Sequence, residues 1–226
     1  MKILAIDTAT KFLSLGIYDD GRIYEYNLEV ERKLSSLLAV TIKRVLDTLD
    51  LEVSDLDYLA CGLGPGSFTG MRVGLSTMKG LGWAGHKPLI GISSLDILAM
   101  NAVGENKMII PAIDAKRNMI YCAFYKNTAS GIKKVSSYML ITKDELFKKI
   151  QKESVIFGDA LNLYRDDIIK NFPGVTLLDK DQWYPKAHNI IGLALKRIKA
   201  KKIDDLFTVK PIYIYPKECQ IKSEIS

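Results

Sequence analysis

The segment Gly62-Leu63-Gly64-Pro65-Gly66-Ser67-Phe68-Thr69-Gly70-Met71-Arg72-Val73-Gly74 follows directly on Asp57-Tyr58-Leu59-Ala60, a short run that reads as a buried strand. Residues Ser67–Trp83 read as a helix, so the segment is a glycine-rich turn leading from strand to helix. Gly64, Gly66 and Gly70 admit backbone angles closed to other residues, and Pro65 fixes its own φ. Two readings fit. Such a turn can aim several backbone N–H groups at a phosphate. It can equally be a tight turn with glycine wherever the chain is crowded. Gly70, Gly74, Gly80 and Gly82 each cost about 1 kcal/mol relative to Ala inside a helix. Gly70 and Gly74, four apart, leave a groove without side chains, and the close approach of another backbone offsets that cost.

A chain of 226 residues can bury a sizeable core, as one large domain or two small ones. No apolar run approaches the roughly 18 residues of a membrane-spanning helix. Lys2 leads straight into a strand-like run ended by Asp7, unlike a signal peptide. Cys61, Cys122 and Cys219 stand far apart and form neither a disulfide framework nor a metal cluster, so a cytoplasmic location is expected. The net charge of +6 is uneven: residues 1–100 carry 10 Lys/Arg against 12 Asp/Glu, and residues 101–226 carry 22 against 14. The densest basic run is Lys196-Arg197-Ile198-Lys199-Ala200-Lys201-Lys202. It suits either a nucleic-acid partner or a solvated helix C-terminus.

Strands are expected at Lys2–Asp7, Phe12–Tyr18 and Arg22–Leu28, with a hairpin turn at Asp19-Asp20-Gly21. Leu34, Leu37, Leu38, Ile42, Val45, Leu46 and Leu49 recur at helical spacing. Pro88–Ile92 reads as a strand, followed by a helix with Ser93 as a candidate cap. Beyond a polar link at Asn101–Lys107, strands are expected at Met108–Ile113, Met119–Tyr125, Ile132–Leu140 and Val155–Phe157. Thr142 and Glu145 form a capping-box pattern for a short helix through Ile150, and a last helix spans Ala187–Lys199. Each half begins with strands and turns before its helices, which suggests two related α/β lobes. The expected division is residues 1–100 and 101–226, with residues from about 187 packing back on the first lobe.

Asp7-Thr8-Ala9-Thr10 ends the first strand, with a carboxylate and hydroxyls suited to a phosphate- or metal-bound water. It also suits a turn that satisfies its own backbone. Combined with the glycine loop, Asp7, Thr8, Gly64, Gly66, Ser67 and Thr69 make a candidate nucleotide cleft for ATP or ADP. The Walker pattern is absent, because Gly70 is followed by Met71 rather than lysine. The only histidines, His86 and His188, lie far apart, which supports neither a metal site nor a hydrolytic triad.

Met1–Thr10 (MKILAIDTAT), Gly62–Gly74 (GLGPGSFTGMRVG), Ile90–Leu95 (IGISSL), Pro111–Lys116 (PAIDAK) and Pro211-Ile212-Tyr213-Ile214 together resemble the bacterial TsaB family, also called YeaZ. The resemblance implies an ASKHA fold, the actin-like/Hsp70-like pair of α/β lobes. It implies a role in making threonylcarbamoyladenosine on tRNA as a non-catalytic partner of a TsaD-like catalytic subunit, joined by a TsaE-like ATPase. On that reading no cofactor is required, tRNA is met indirectly through the complex, and the chain alone forms a homodimer. The catalytic relative's His-x-x-x-His motif is missing here. Where the family commonly has a His-Ser or His-Thr pair and a proline, this chain reads Lys33-Leu34-Ser35-Ser36-Leu37-Leu38-Ala39. The family's dimer surface, formed by first-lobe helices, maps onto Leu34, Leu38, Thr41, Ile42, Val45, Met71, Gly74, Leu75 and Met78. The alternatives are a small ASKHA phosphotransferase or ATPase using Asp7 and the glycine loop, a glycoprotease-like peptidase, and a direct tRNA-binding module.

Overall fold

The computed structural model describes residues 1–30, 33–129 and 131–215. The described residues divide into two compact units: Met1–Asn101 with Tyr184–Pro211, and Ala102–Trp183 with residues 212–215.

The first unit contains strands β1 (Lys2–Asp7), β2 (Phe12–Asp19), β3 (Arg22–Glu29), β4 (Tyr58–Gly62) and β5 (Leu89–Ile92). Its helices are α1 (Leu34–Thr48), α2 (Phe68–Gly85), α3 (Ser94–Ala99) and α6 (Ala187–Lys199), the last supplied from late in the chain. The sheet order is β3-β2-β1-β4-β5, antiparallel through the β1–β2–β3 meander and parallel across β1–β4–β5. Alternation along β1 divides its side chains between two cores. Leu4 and Ile6 join Leu38, Ile42, Val45, Leu75 and Met78 beneath α1 and α2. Ile3 and Ala5 join Ile90, Ile97, Ile190, Ile191 and Ala194 beneath α3 and α6. The unit is therefore a three-layer sandwich, helices on both faces of one sheet. Gly16 in β2 lets α6 lie close, since a β-carbon there would stand 2.8 Å from the Ala187 Cβ.

In the second unit lie β6 (Met108–Asp114), β7 (Met119–Cys122), β8 (Tyr125–Thr128), β9 (Gly131–Lys134), β10 (Met139–Thr142), β11 (Ser154–Phe157) and β12 (Thr176–Leu177). Its helices are α4 (Lys143–Phe147) and α5 (Leu161–Asn171). The order β10-β7-β6-β11-β12, with β8 also on β6 and β9 on β8, repeats the first sheet: an antiparallel meander, then two parallel strands. Two expected strands are each broken in two. Met119–Tyr125 becomes β7 and the start of β8, and Ile132–Leu140 becomes β9 and the start of β10. The break falls where Ser136 Oγ, rather than a strand carbonyl, accepts the Phe124 N–H, while Val135 N–H bonds back to the Phe124 carbonyl.

The Thr142–Glu145 capping box forms as expected. Ser93 stands at the start of α3 but its hydroxyl makes no capping bond. Helix α5 has no counterpart among the expected elements, although Leu161 and Ile168 fall on its buried face. The turn after β6 places Lys116, Arg117 and Asn118 at consecutive positive φ angles of 62°, 51° and 59°. The Tyr215 hydroxyl holds this turn by donating to the Ala115 carbonyl, 3.1 Å away, with its ring edge-on to Tyr121.

Candidate functional site

β1, β4 and β5 run parallel and end side by side, so Asp7, the glycine turn and Ser93-Ser94 meet at one end of the first sheet. Asp7 is 1% exposed. Its Oδ1 accepts the Ala9 N–H at 2.8 Å and its Oδ2 accepts the Ser94 hydroxyl. Burial pushes the Asp7 carboxyl above the ordinary aspartate value, and the Ser94 and Ala9 hydrogen bonds act against it. Gly62 leaves the carboxylate its space, since a β-carbon there would lie 1.9 Å from Asp7 Oδ2.

Ser94 ties Asp7 to the turn. Its Oγ accepts the Gly64 N–H at 3.1 Å, and its own N–H donates to the Gly64 carbonyl at 2.8 Å. Gly64 adopts φ +85°, the left-handed region that its lack of a side chain allows. At Gly66 the limit is space: a β-carbon would stand 2.2 Å from the Ala9 carbonyl oxygen, the same oxygen that accepts the Ser67 N–H. Ser67 caps α2, its Oγ accepting the Gly70 N–H at 3.2 Å. Thr8 is buried and donates its hydroxyl to the Gly70 carbonyl at 2.8 Å. Thr69 is exposed in the first turn of α2. Asp7, Thr8, Gly64, Gly66 and Ser67 are thus brought together, tied to one another through Ala9, Gly70 and Ser94. Ser94, which closes the set, reads in the sequence only as part of a helix start. The signal that could have found it is a hydroxyl pair at the end of the strand beside β4.

Gly70 and Gly74 of α2 face inward. A β-carbon on Gly70 would lie 2.0 Å from the Thr8 carbonyl oxygen, and one on Gly74 would lie 2.1 Å from Thr8 Oγ1. The backbone that enters the side-chain-free groove therefore belongs to this chain. Correspondingly, Leu34, Leu38, Ile42, Val45, Met71, Gly74, Leu75 and Met78 are buried, and Thr41 is half-buried. This corrects the expectation that they form a partner surface: their apolar stripes are used up between the sheet and the two helices. What α1 and α2 present outward is different. Val40 is 46% exposed, Phe68 43% and Trp83 68%, with Arg72 lying 3.8 Å over the Phe68 ring. Phe68, Arg72, Ser76, Gly80 and Trp83 follow one helical face.

The second unit repeats the arrangement with other residues. Asp159, after β11, accepts the Asp114 N–H at 2.8 Å, and a β-carbon on Gly158 would meet the Ala112 carbonyl oxygen at 2.1 Å. Burial pushes Asp159 up to about 6, the Asp114 charge adding to the effect and Lys116 opposing it. Cys61 and Cys122 are buried, and burial raises both thiols, Cys122 to about 12; neither is a nucleophile at neutral pH. Cys219 lies outside the described residues. Among the described residues no group of three or more His, Cys, Asp or Glu is placed to hold a metal, and no helix is long and apolar enough to cross a membrane.

The family model described as "TsaD: tRNA N6-adenosine threonylcarbamoyltransferase" matches residues 28–175. The chain is 30% identical to the tRNA threonylcarbamoyladenosine biosynthesis protein TsaB of Buchnera aphidicola subsp. Schizaphis graminum, over 91% of this chain and 98% of that protein. It is 28% identical to the TsaB protein of Escherichia coli K12, over 95% and 94%. With the TsaB protein of Bacillus subtilis it shares 27% identity over 98% and 97%. Among solved structures, YeaZ from Pseudomonas aeruginosa superposes with a TM-score of 0.82 at 23% identity, covering 94% of this chain and 99% of that one. The duplicated ASKHA-type α/β lobe implied by the resemblance is the fold observed.

Proposed function

The chain belongs to the TsaB family, within the wider family that the TsaD model describes, and from that premise we propose that it is the non-catalytic partner of a TsaD-like subunit. Its pathway is the biosynthesis of threonylcarbamoyladenosine on tRNA. The observation that carries the non-catalytic reading is the closed state of the first-lobe site. A phosphotransferase needs its strand-end aspartate free to meet a metal-bound water or phosphate. Here both Asp7 oxygens are committed, to Ala9 and Ser94, and the carboxylate is almost fully buried. The missing His-x-x-x-His motif supports the same reading, because the metal ligands of the catalytic relative have no counterpart.

On this proposal the partner meets the outward face of α1 and α2, around Val40, Phe68, Arg72 and Trp83, rather than the buried stripe. Large exposed aromatic side chains are the usual energetic anchors of protein interfaces. The same face would join two copies of the chain as a two-fold homodimer when the partner is absent. A TsaE-like ATPase completes the assembly, tRNA is met within it, and this subunit needs no cofactor of its own. The test is co-elution of the purified chain with the TsaD-like protein of its own organism. It is paired with measurement of threonylcarbamoyladenosine in tRNA from cells depleted of the chain. Stable co-elution and loss of the modified nucleoside are expected. Unchanged nucleoside after depletion would overturn the pathway assignment, and separate elution would overturn the partner role.

A further inference from the structure

We propose that the β8–β9 hairpin grips the sugar–phosphate backbone of RNA, an inference that rests on the tRNA pathway reading above. Between Ala115 and Lys143 the sequence holds no Asp or Glu, yet it holds Lys116, Arg117, Lys126, Lys133, Lys134 and Lys143. Lys116 is paired with Asp114 and Lys143 with Asp167. The hairpin lysines have no such neutralisation: among the described residues none of Lys126, Lys133 and Lys134 takes part in an ion pair.

Register puts Lys126 directly opposite Lys133, and both are exposed. Like charges facing each other across a strand pair destabilise the sheet. The other face of the hairpin is fixed. Tyr125 is buried, and Asn127 Nδ2 donates to the Glu105 carbonyl at 2.7 Å. The two ammonium groups are therefore held on the outer side of an anchored platform, together with Thr128 and Gly131. Lys134, directly opposite Tyr125, belongs to the other face, where it lies 3.3 Å over the ring of half-buried Tyr138.

Lysines on an outer strand also guard against edge-to-edge pairing. That accounts for Lys133 and Lys134, because among the described residues β9 pairs only with β8. It accounts for Lys126 less fully, because its strand is paired with β9 throughout and with β6 at the neighbouring Tyr125. Lysine is depleted at protein–protein interfaces, whereas nucleic-acid backbones are held largely by lysine and arginine. A continuous phosphate chain thus fits this face better than an acidic protein does.

The test is binding of unmodified tRNA to the full chain across a salt series, comparing wild type with Lys126→Glu/Lys133→Glu and Lys126→Ala/Lys133→Ala. Polyglutamate serves as a second probe. Wild type is expected to bind tRNA at low salt, and the alanine pair to lower the slope of log affinity against log salt by about 2, about one per lysine. The reversal pair should bind more weakly still. Thermal unfolding of the alanine pair should be unchanged or raised, since a repulsion is removed, which separates lost binding from lost fold. Equal tRNA affinity and slope in all three proteins, no binding by wild type at low salt, or preference for polyglutamate would overturn the proposal. Nucleoside analysis of cells carrying the alanine pair keeps the two readings apart. Modification that depends on the chain but not on the hairpin leaves the pathway assignment standing while the hairpin proposal fails.

Discussion

Thr8 Oγ1 occupies the space that a β-carbon on Gly74 would take, 2.1 Å away, and the same hydroxyl bonds the carbonyl of Gly70 one turn earlier. The end of β1 and the first turns of α2 are thereby interlocked. Gly74→Ala gains about 1 kcal/mol in helix propensity but must displace the Thr8 side chain and break its bond. Overpacking of this kind costs about 1–3 kcal/mol, and the lost bond about 1 more, so net destabilisation is expected in urea unfolding. Gly80→Ala is the control. No atom lies within 4 Å of its added β-carbon, and the variant should gain up to about 1 kcal/mol.

Ser94→Ala removes the hydroxyl that Asp7 Oδ2 and the Gly64 N–H share. Leaving buried polar groups unpaired costs about 1–3 kcal/mol each, so a large loss in chemical unfolding is expected. ATP turnover by the purified chain should stay at background in wild type and in Asp7→Asn alike. Robust hydrolysis that Asp7→Ala abolishes would instead favour the phosphotransferase.

Leu38→Glu and Val40→Glu separate core from surface two positions apart. Leu38 lies within the core under α1, whereas Val40 is exposed. The first buries an unpaired charge and should cost about 4 kcal/mol or more. The second should alter stability by no more than about 0.5 kcal/mol while weakening co-elution with the TsaD-like protein. Trp83→Ala should weaken pairing by about 2 kcal/mol, roughly thirtyfold in Kd by titration calorimetry. Unaltered affinity in both surface variants would move the partner surface off α1 and α2.

Asp159 carries a carboxyl raised to about 6 from the ordinary 3.8. Between those values the unfolded chain releases a proton that the folded chain keeps, so this residue's contribution to stability falls as pH rises and levels off above about 6. Asp159→Asn should remove that fall and be more stable than wild type at pH 8, by on the order of 2 kcal/mol in urea unfolding. A wild-type and variant difference that does not vary between pH 4 and pH 8 would contradict it.

Much of this architecture was legible because apolar periodicity reports burial. The β1–β3 meander, α1, α2 and α6 fall where the alternation and the helical stripes put them. Periodicity does not say which body covers a stripe, so the buried residues from Leu34 to Met78 read equally well as a partner surface. The division of Met119–Tyr125 depended on one serine side chain replacing a strand carbonyl, a tertiary event without a local signature. Lys116-Arg117-Asn118 reads as a turn, but its left-handed run has no glycine to announce it and is supported by Tyr215 from far along the chain. Gly62–Gly74 stands out in the sequence for good reason. The internal use of its glycines followed only from where Thr8 and Asp7 sit.

Helix α6 covers one face of a sheet whose strands all lie in the first 92 residues, yet it begins only at Ala187. During synthesis, Ile3, Ala5, Ala60 and Ile90 therefore leave the ribosome well before Ile190, Ile191 and Ala194 that will cover them. At about 5–20 residues per second the interval is on the order of ten seconds, a period in which a bare apolar face invites aggregation. Completion of the earlier lobe thus waits on translation of the later one, and a message broken before the codons for α6 would yield a chain with that face still open.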